Sequence, residues 1–212
     1  MTIPIVFLVA ADPVERGLVA SYNRPGGNVT GFTSGTYEDK RLETLKSCVP
    51  SLATAGWLCD CKADRAAAVL NAGRRLGIQD RHSLVYRPDD FERAFADAVR
   101  AGVDGIALTD MSWTGGQFGR VAELALRHRL PSVGPSREFV ELGGLLYYGP
   151  VPGQGSARAA AFVDKILKGT RPAAIPVELP TRFELVVNLR TARALNLKIP
   201  DSFFYRVDRV IE

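Results

Sequence analysis

The sequence predicts an α/β protein with mainly parallel sheets flanked by helices. Short runs rich in Val, Ile and Leu recur along the chain. Nearly every run is followed by a stretch of about 10–15 residues with apolar positions at helical spacing. Glycines and prolines fall between the two kinds of segment, as βα units require. The 212 residues are 46% hydrophobic and 24% charged, an ordinary globular composition, and a chain of this size buries roughly 70% of its unfolded surface.

Ile3 to Ala10 reads as a buried strand. Asp12, Pro13 and Glu15 then have the order of a cap, a first helical residue and a capping-box acid, which predicts a helix reaching about Tyr22. Arg24 to Asn28 forces a turn, Val29 to Phe32 is a short strand, and Leu42, Leu45, Cys48 and Val49 mark a helix stopped by Pro50. The rhythm continues with strand Ala55 to Cys59, a helix from about Asp64 to Leu76, strand Ser83 to Tyr86, and a helix facing inward through Phe91, Phe95, Ala98 and Val99. Strand Gly105 to Thr109, a helix from near Gly116 to His128, strand Pro131 to Val133 and a brief helix from Ser136 follow. Leu145 to Tyr148 is a strand, and a helix carrying the apolar residues Ala160, Val163, Ile166 and Leu167 follows and stops at Gly169. The tail holds an extended segment from Val177 to Asn188, a short helix from Thr191 to Leu195 and a last segment to Glu212.

Composition excludes several classes of function. The net charge of +4 is spread along the chain, so nucleic acid is not an expected partner. No run approaches the roughly 18 apolar residues of a membrane span, and no basic, apolar export signal opens the chain as written. Cys48, Cys59 and Cys61 make no disulfide framework and read as bystander thiols, buried or half-buried. With only His82 and His128 besides, no metal site and no cofactor is expected.

In parallel α/β sheets, ligands bind at the carboxyl ends of strands. That rule selects Ala11-Asp12, Asp60 to Lys62, Asp110 to Thr114, Ser136-Arg137 and Tyr148-Gly149. Ser112 lies between Met111 and Trp113 rather than in G-x-S-x-G, so a serine hydrolase finds no support. Gly115-Gly116-x-x-Gly119 lacks the spacing and the lysine of a phosphate loop. The start at Asp12-Pro13 presents amides to an anion or simply caps its own helix. Arg137, just inside a helix start, is misplaced for the helix dipole unless it reaches a carboxylate, of a ligand or of a neighbour. Trp113 and the pair Tyr147-Tyr148 are large aromatics at loop positions, which suits a cleft or an interface. Trp57, inside a strand, reads as core. No catalytic residue emerges.

The segment IPIVFLVAADPVERGLVASYNRPGGNVTGFT, residues 3–33, resembles the substrate-binding proteins of ABC transporters, in the branch with tryptophan and other aromatic amino-acid binders. The resemblance continues at KRLETLKSCVP (40–50), HRLP (128–131), SREFVELGG (136–144), YGP (148–150), DKILKG (164–169) and LPTRFELVVN (179–188), and closes with residues 191–200 and 208–212. It implies the type I periplasmic-binding-protein architecture, two α/β lobes joined by crossing segments with ligand between them. Residues 1–35 and 152–180 would form part of a first lobe, and residues 36–151 and 181–212 a complete second lobe. Relatives carry an export signal and several βα units ahead of the strand that here begins at Ile3, so the first lobe is expected to be partial. Its uncovered edges predict a homo-oligomer.

The resemblance also implies a non-enzymatic, extracytoplasmic solute-binding component of an importer, with a permease as partner. The expected ligand is an amino acid or related carboxylate, held by Ala11, Asp12, Asp60, Asp110, Ser112, Trp113, Arg137 and Tyr148. A non-transporting interaction or regulatory protein on the same scaffold is the alternative. Cys59-Asp60-Cys61-Lys62 and Asp110-Met111-Ser112-Trp113 depart from the family pattern, so the ligand of the aromatic relatives does not transfer directly.

Overall fold

The computed structural model describes residues 2–8, 12–59, 73–109 and 115–212. Its strands are β1 (Ile5–Phe7), β2 (Val29–Gly31), β3 (Thr54–Cys59), β4 (Gln79–Leu84), β5 (Gly105–Leu108), β6 (Ser132–Gly134), β7 (Leu146–Pro150), β8 (Phe183–Asn188) and β9 (Arg209–Ile211). Its helices are α1 (Glu38–Cys48), α2 (Asp90–Arg100), α3 (Phe118–Arg127), α4 (Arg137–Glu141), α5 (Gln154–Leu167), α6 (Leu189–Ala194) and α7 (Asp201–Phe204). The chain divides into two compact units. Unit 1 holds Met1–Thr36 and Pro150–Phe183, and unit 2 holds Tyr37–Gly149 and Glu184–Glu212.

Unit 2 is organised by a seven-stranded sheet in the order β4-β3-β5-β6-β7-β8-β9. The β3–β4, β3–β5, β5–β6, β6–β7 and β8–β9 pairs are parallel. At β7–β8 the amide of Asn188, which ends β8, donates to the carbonyl of Leu145 just before β7, so these two strands run in opposite directions. Side chains alternate between two cores as the pleat requires. Leu58, Ile106, Leu108, Tyr147 and Val186 join Phe91 and Phe95 of α2, Val121 of α3 and Phe139 of α4. Trp57, Ala107, Leu146, Leu185 and Val187 join Leu42 and Leu45 of α1 and Phe203. Burial of each large side chain contributes about 1.5–3 kcal/mol, so both faces are needed.

Local sequence explains most of these elements. The hydroxyl of Ser136 accepts from the Glu138 amide and caps α4, and Asn188 does the same for Thr191 at α6. In α2 the buried line is Phe91, Ala94, Phe95 and Ala98, while Val99, expected inside, is 46% exposed. The strand expected at Ser83–Tyr86 is Gln79–Leu84. Residues 79–82 are polar, and their place in the sheet is decided by pairing with β3 rather than by their own propensity. Of the helix expected at residues 64–76, only 73–76 lie among the described residues, and they are helical.

Unit 1 contains the parallel pair β1–β2, a bridge between Phe32 and Glu178, α5, and a 3-10 turn at Pro172–Ala174. Its core is Phe32, Phe162 and Ile175, with Val6 and Ile166 against it. One expectation changes here. Instead of a helix to Tyr22, Pro13 begins a single turn that closes when the Leu18 amide reaches the Pro13 carbonyl and the Gly17 amide reaches Val14. Gly17 holds φ at +67°, the left-handed stop that removes the remaining turns. The apolar face of α5 is largely open. Among its residues only Phe162 is buried, and Leu167 is 82% exposed.

The cysteines are not equivalent. Cys59 is disulfide-bonded, not the bystander thiol expected of it, whereas Cys48 is a buried free thiol. Burial pushes the Cys48 thiol up from 9.0 to about 12. The unfolded thiol therefore ionises first as pH rises, and stability present below pH 9 is lost progressively above it. Cys48 is expected to resist an aromatic disulfide reagent in the native protein and to react once the chain is denatured. Equal rates in the two states would contradict the burial. No helix among the described residues is long and apolar enough to cross a membrane.

Candidate functional site

The parallel strands of unit 2 deliver their carboxyl ends to one edge. Cys59 ends β3, Thr109 follows β5, Ser136 follows β6 and Tyr148-Gly149 lies near the end of β7. Glu184 reaches the same edge because β8 runs the opposite way and starts there. The first turns of α1 lie there too, since Arg41 Nε donates to the Tyr148 carbonyl at 3.3 Å.

Arg41 is the unexpected residue. It is 2% exposed, and among the described residues only Trp57 is a larger fully buried side chain. Arg41 sits in the buried phase of α1 with Glu38, Leu42, Leu45 and Cys48. A signal for it exists in the sequence: a charged residue occupies the apolar stripe one turn before Leu45. A buried guanidinium needs partners to offset its desolvation, and the Tyr148 carbonyl near the end of β7 is one of them. Glu38, 8% exposed, shares that stripe.

Arg137 does reach a carboxylate. Its Nε donates to Glu184 Oε1 at 2.9 Å, and its Nη2 donates to Glu184 Oε2. The bidentate bond to Glu184, more than any other cause, holds the guanidinium above its ordinary value. Glu184 is 9% exposed and Arg137 32%, so the pair closes the sheet edge with a fixed, partly accessible guanidinium. Glu141 adds negative charge nearby while itself accepting from Arg209 at 3.1 Å.

Tyr148 is half-buried against the core that contains Leu42 and Trp57, whereas its neighbour Tyr147 is buried in the opposite core. Asp12 belongs to unit 1. Its Oδ1 accepts from the Val14 and Glu15 amides, both at 3.0 Å, so the carboxylate caps its own turn. Ala11, Asp60, Asp110, Ser112 and Trp113 lie outside the described residues. Among the described residues no group of three or more His, Cys, Asp or Glu is arranged to hold a metal ion.

Residues 1–211 match the family model for ABC transporter substrate binding proteins. The tyrosine-binding protein of Clostridioides difficile strain R20291 is 23% identical over 200 residues, covering 92% of this chain and 58% of that protein. The chain thus spans little more than half the length of that relative. A Streptococcus pneumoniae ABC domain solved in complex with L-Trp superposes with a TM-score of 0.87 at 23% identity, over 98% of this chain and 73% of that one. A conserved domain protein of Vibrio cholerae O1 biovar El Tor gives a TM-score of 0.90 at 25% identity, over 99% and 72%. The fold of this chain is therefore periplasmic-binding-protein-like, and with the family model spanning its length the chain belongs to the ABC transporter substrate-binding protein family.

Proposed function

We propose that the protein is the extracytoplasmic solute-binding component of an ABC importer, taking an amino acid or related carboxylate and handing it to a permease. The observation that carries this reading is the match of residues 1–211 to the substrate-binding family model, supported by the Arg137 guanidinium held by Glu184 at the carboxyl edge of the sheet and by relatives named for L-Trp and tyrosine. In this reading the ligand lies in a cleft between two lobes that close on it. The Arg137 guanidinium, steadied by Glu184, attracts the ligand carboxylate together with amides around Ala11 and Asp12. Tyr148 and Trp113 cover the apolar part, Ser112 contributes a hydroxyl, and Asp60 and Asp110 accept from the ammonium. The role is binding and delivery, with no bond made or broken.

Thermal unfolding against L-tyrosine, L-tryptophan, L-leucine and simple carboxylates tests this. At a hundred times its dissociation constant a ligand adds about 2.7 kcal/mol, a rise of roughly 5–10 °C for a chain of this size. A shift confined to amino acids is the expected result. A flat panel on folded protein would overturn the reading.

A further inference from the structure

The polar face at the start of α5 does something that the core of unit 1 does not require. Gln154, its first residue, uses its whole side-chain amide on the chain segments that lead between the units. Its Nε2 donates to the carbonyls of Val151 at 3.1 Å and Arg182 at 2.7 Å. Its Oε1 accepts from the amides of Thr181 at 3.2 Å and Arg182 at 3.1 Å. The Val151 amide also donates to the Arg182 carbonyl at 3.0 Å. The outgoing segment after β7 and the returning segment before β8 are thus held together by one side chain.

One turn further along the same helix face, Arg158 grips the returning segment again. Its Nε and Nη2 each donate to the Glu178 carboxylate at 2.7 Å, which holds that carboxyl below its usual range. Glu178 is in turn stitched to the third segment that crosses between units. Its amide donates to the Gly31 carbonyl at 3.0 Å, and its carbonyl accepts from the Thr33 amide at 2.9 Å. All these groups belong to unit 1, and the boundaries with unit 2 fall at residues 36/37, 149/150 and 183/184.

We propose that Gln154 and Arg158 form a clasp that makes the three crossing segments one rigid piece of unit 1, so that the chain bends at Ser34–Thr36, Gly149-Pro150 and Phe183-Glu184. Hinges are a few residues that absorb the change in backbone angles while their neighbours stay fixed. Gly35 suits this, with φ at +70° and its amide on Thr33 Oγ1 at 3.0 Å. The clasp sharpens the bend by removing the freedom of the segments on one side of it. Gln154 and Arg158 are positioning residues, and their value to ligand capture rests on the solute-binding reading, whereas the clasp itself does not.

The test uses the ligand-free chain. In Gln154→Ala, exchange at the amides of Val151, Thr181 and Arg182 is expected to speed up about tenfold, the factor that one ordinary lost hydrogen bond supplies. Exchange in β3 and β5 should stay unchanged. Spin labels at Ala160→Cys in unit 1 and Ala101→Cys in unit 2 should then report a broader distance distribution at an unaltered unfolding midpoint. Gln154→Glu keeps both acceptor bonds but turns a carboxylate oxygen toward the Val151 and Arg182 carbonyls, which repel it, so it too should speed exchange and broaden the distances relative to wild type. Unchanged exchange at the three amides would overturn the clasp. Faster exchange with an unchanged distance distribution would overturn its control of the bend. Should Gln154→Ala unfold, Gln154→Glu decides by the same two criteria. Neither readout involves a solute, so a protein that binds no amino acid can still pass this test.

Discussion

Trp57→Ala is expected to destabilise unit 2 by about 3–5 kcal/mol, the cost of deleting a large aromatic from a closed core. Trp57 is 0% exposed in the centre of β3, and its Nε1 donates to Asp80 Oδ1 at 2.8 Å. The variant leaves both a cavity and an unpaired carboxylate. Trp57→Phe separates the two, since it keeps most of the bulk and loses only the bond, for about 1–3 kcal/mol. Its cost should depend on pH. Burial raises the Asp80 carboxyl above 3.8, and the Trp57 bond pulls it back. Losing the bond raises it further, so the penalty is full above the carboxylate range and vanishes below 3.8, where the group is protonated in both folded and unfolded chains. Urea unfolding of both variants, followed by circular dichroism at pH 7 and pH 3.5, checks this. A Trp57→Phe penalty independent of pH would remove Asp80 from the explanation.

His82 lies on β4 with Asp80 and acts in the opposite sense. Its ring nitrogens are buried without hydrogen bonds, and burial lowers its value below 6.5 despite the attraction of Asp80. The unfolded imidazole takes its proton first, so wild-type stability is full above pH 6.5 and is lost as pH falls through that value.

Gly31→Ala should be the most damaging small change in unit 1. Gly31 stands opposite Phe7 in the β1–β2 pair, and a Cβ there would lie 2.0 Å from the Phe7 carbonyl oxygen and 2.7 Å from its nitrogen. Both are backbone atoms, so relief requires the strands to part. That breaks the Phe32 amide bond to the Phe7 carbonyl and loosens the Phe32–Phe162 core. A cost of about 3 kcal/mol or more is expected, the upper end for overpacking. Hydrogen exchange should show it in residues 5–7 and 28–33, with β3 and β5 of unit 2 unaffected. Wild-type exchange in residues 5–7 would contradict the pairing.

The α/β rhythm was legible because it depends on local periodicity. Leu42, Leu45 and Cys48 repeat at helical spacing and are buried in α1, and β3 and β5 are unbroken apolar runs buried along nearly their whole lengths. Elements decided by tertiary partners were less legible. β4 is placed by β3, and the turn after Asp12 is cut short by Gly17 rather than extended by its own capping signals.

The site divides in the same way. The Asp12 cap follows from three adjacent residues, and Arg137 was marked by its awkward place at a helix start. Its partner Glu184 lies 47 positions away, a pairing that only the antiparallel β7–β8 contact creates. Arg41 was hidden because a charged residue in an apolar stripe looks like a lapse in the pattern until Tyr148 is brought beside it.

Capture of a free amino acid is what the proposed function requires. Isothermal titration of the ligand-free protein with L-tyrosine and L-tryptophan, then with the same solutes lacking the carboxylate, tests it most directly. Saturable 1:1 binding of at least one of the two amino acids is expected, with a loss of affinity of tenfold or more for the corresponding amine, since a charge-assisted bond contributes about 1.5–3 kcal/mol. Binding of neither amino acid by folded protein, or equal affinity for acid and amine, would contradict it.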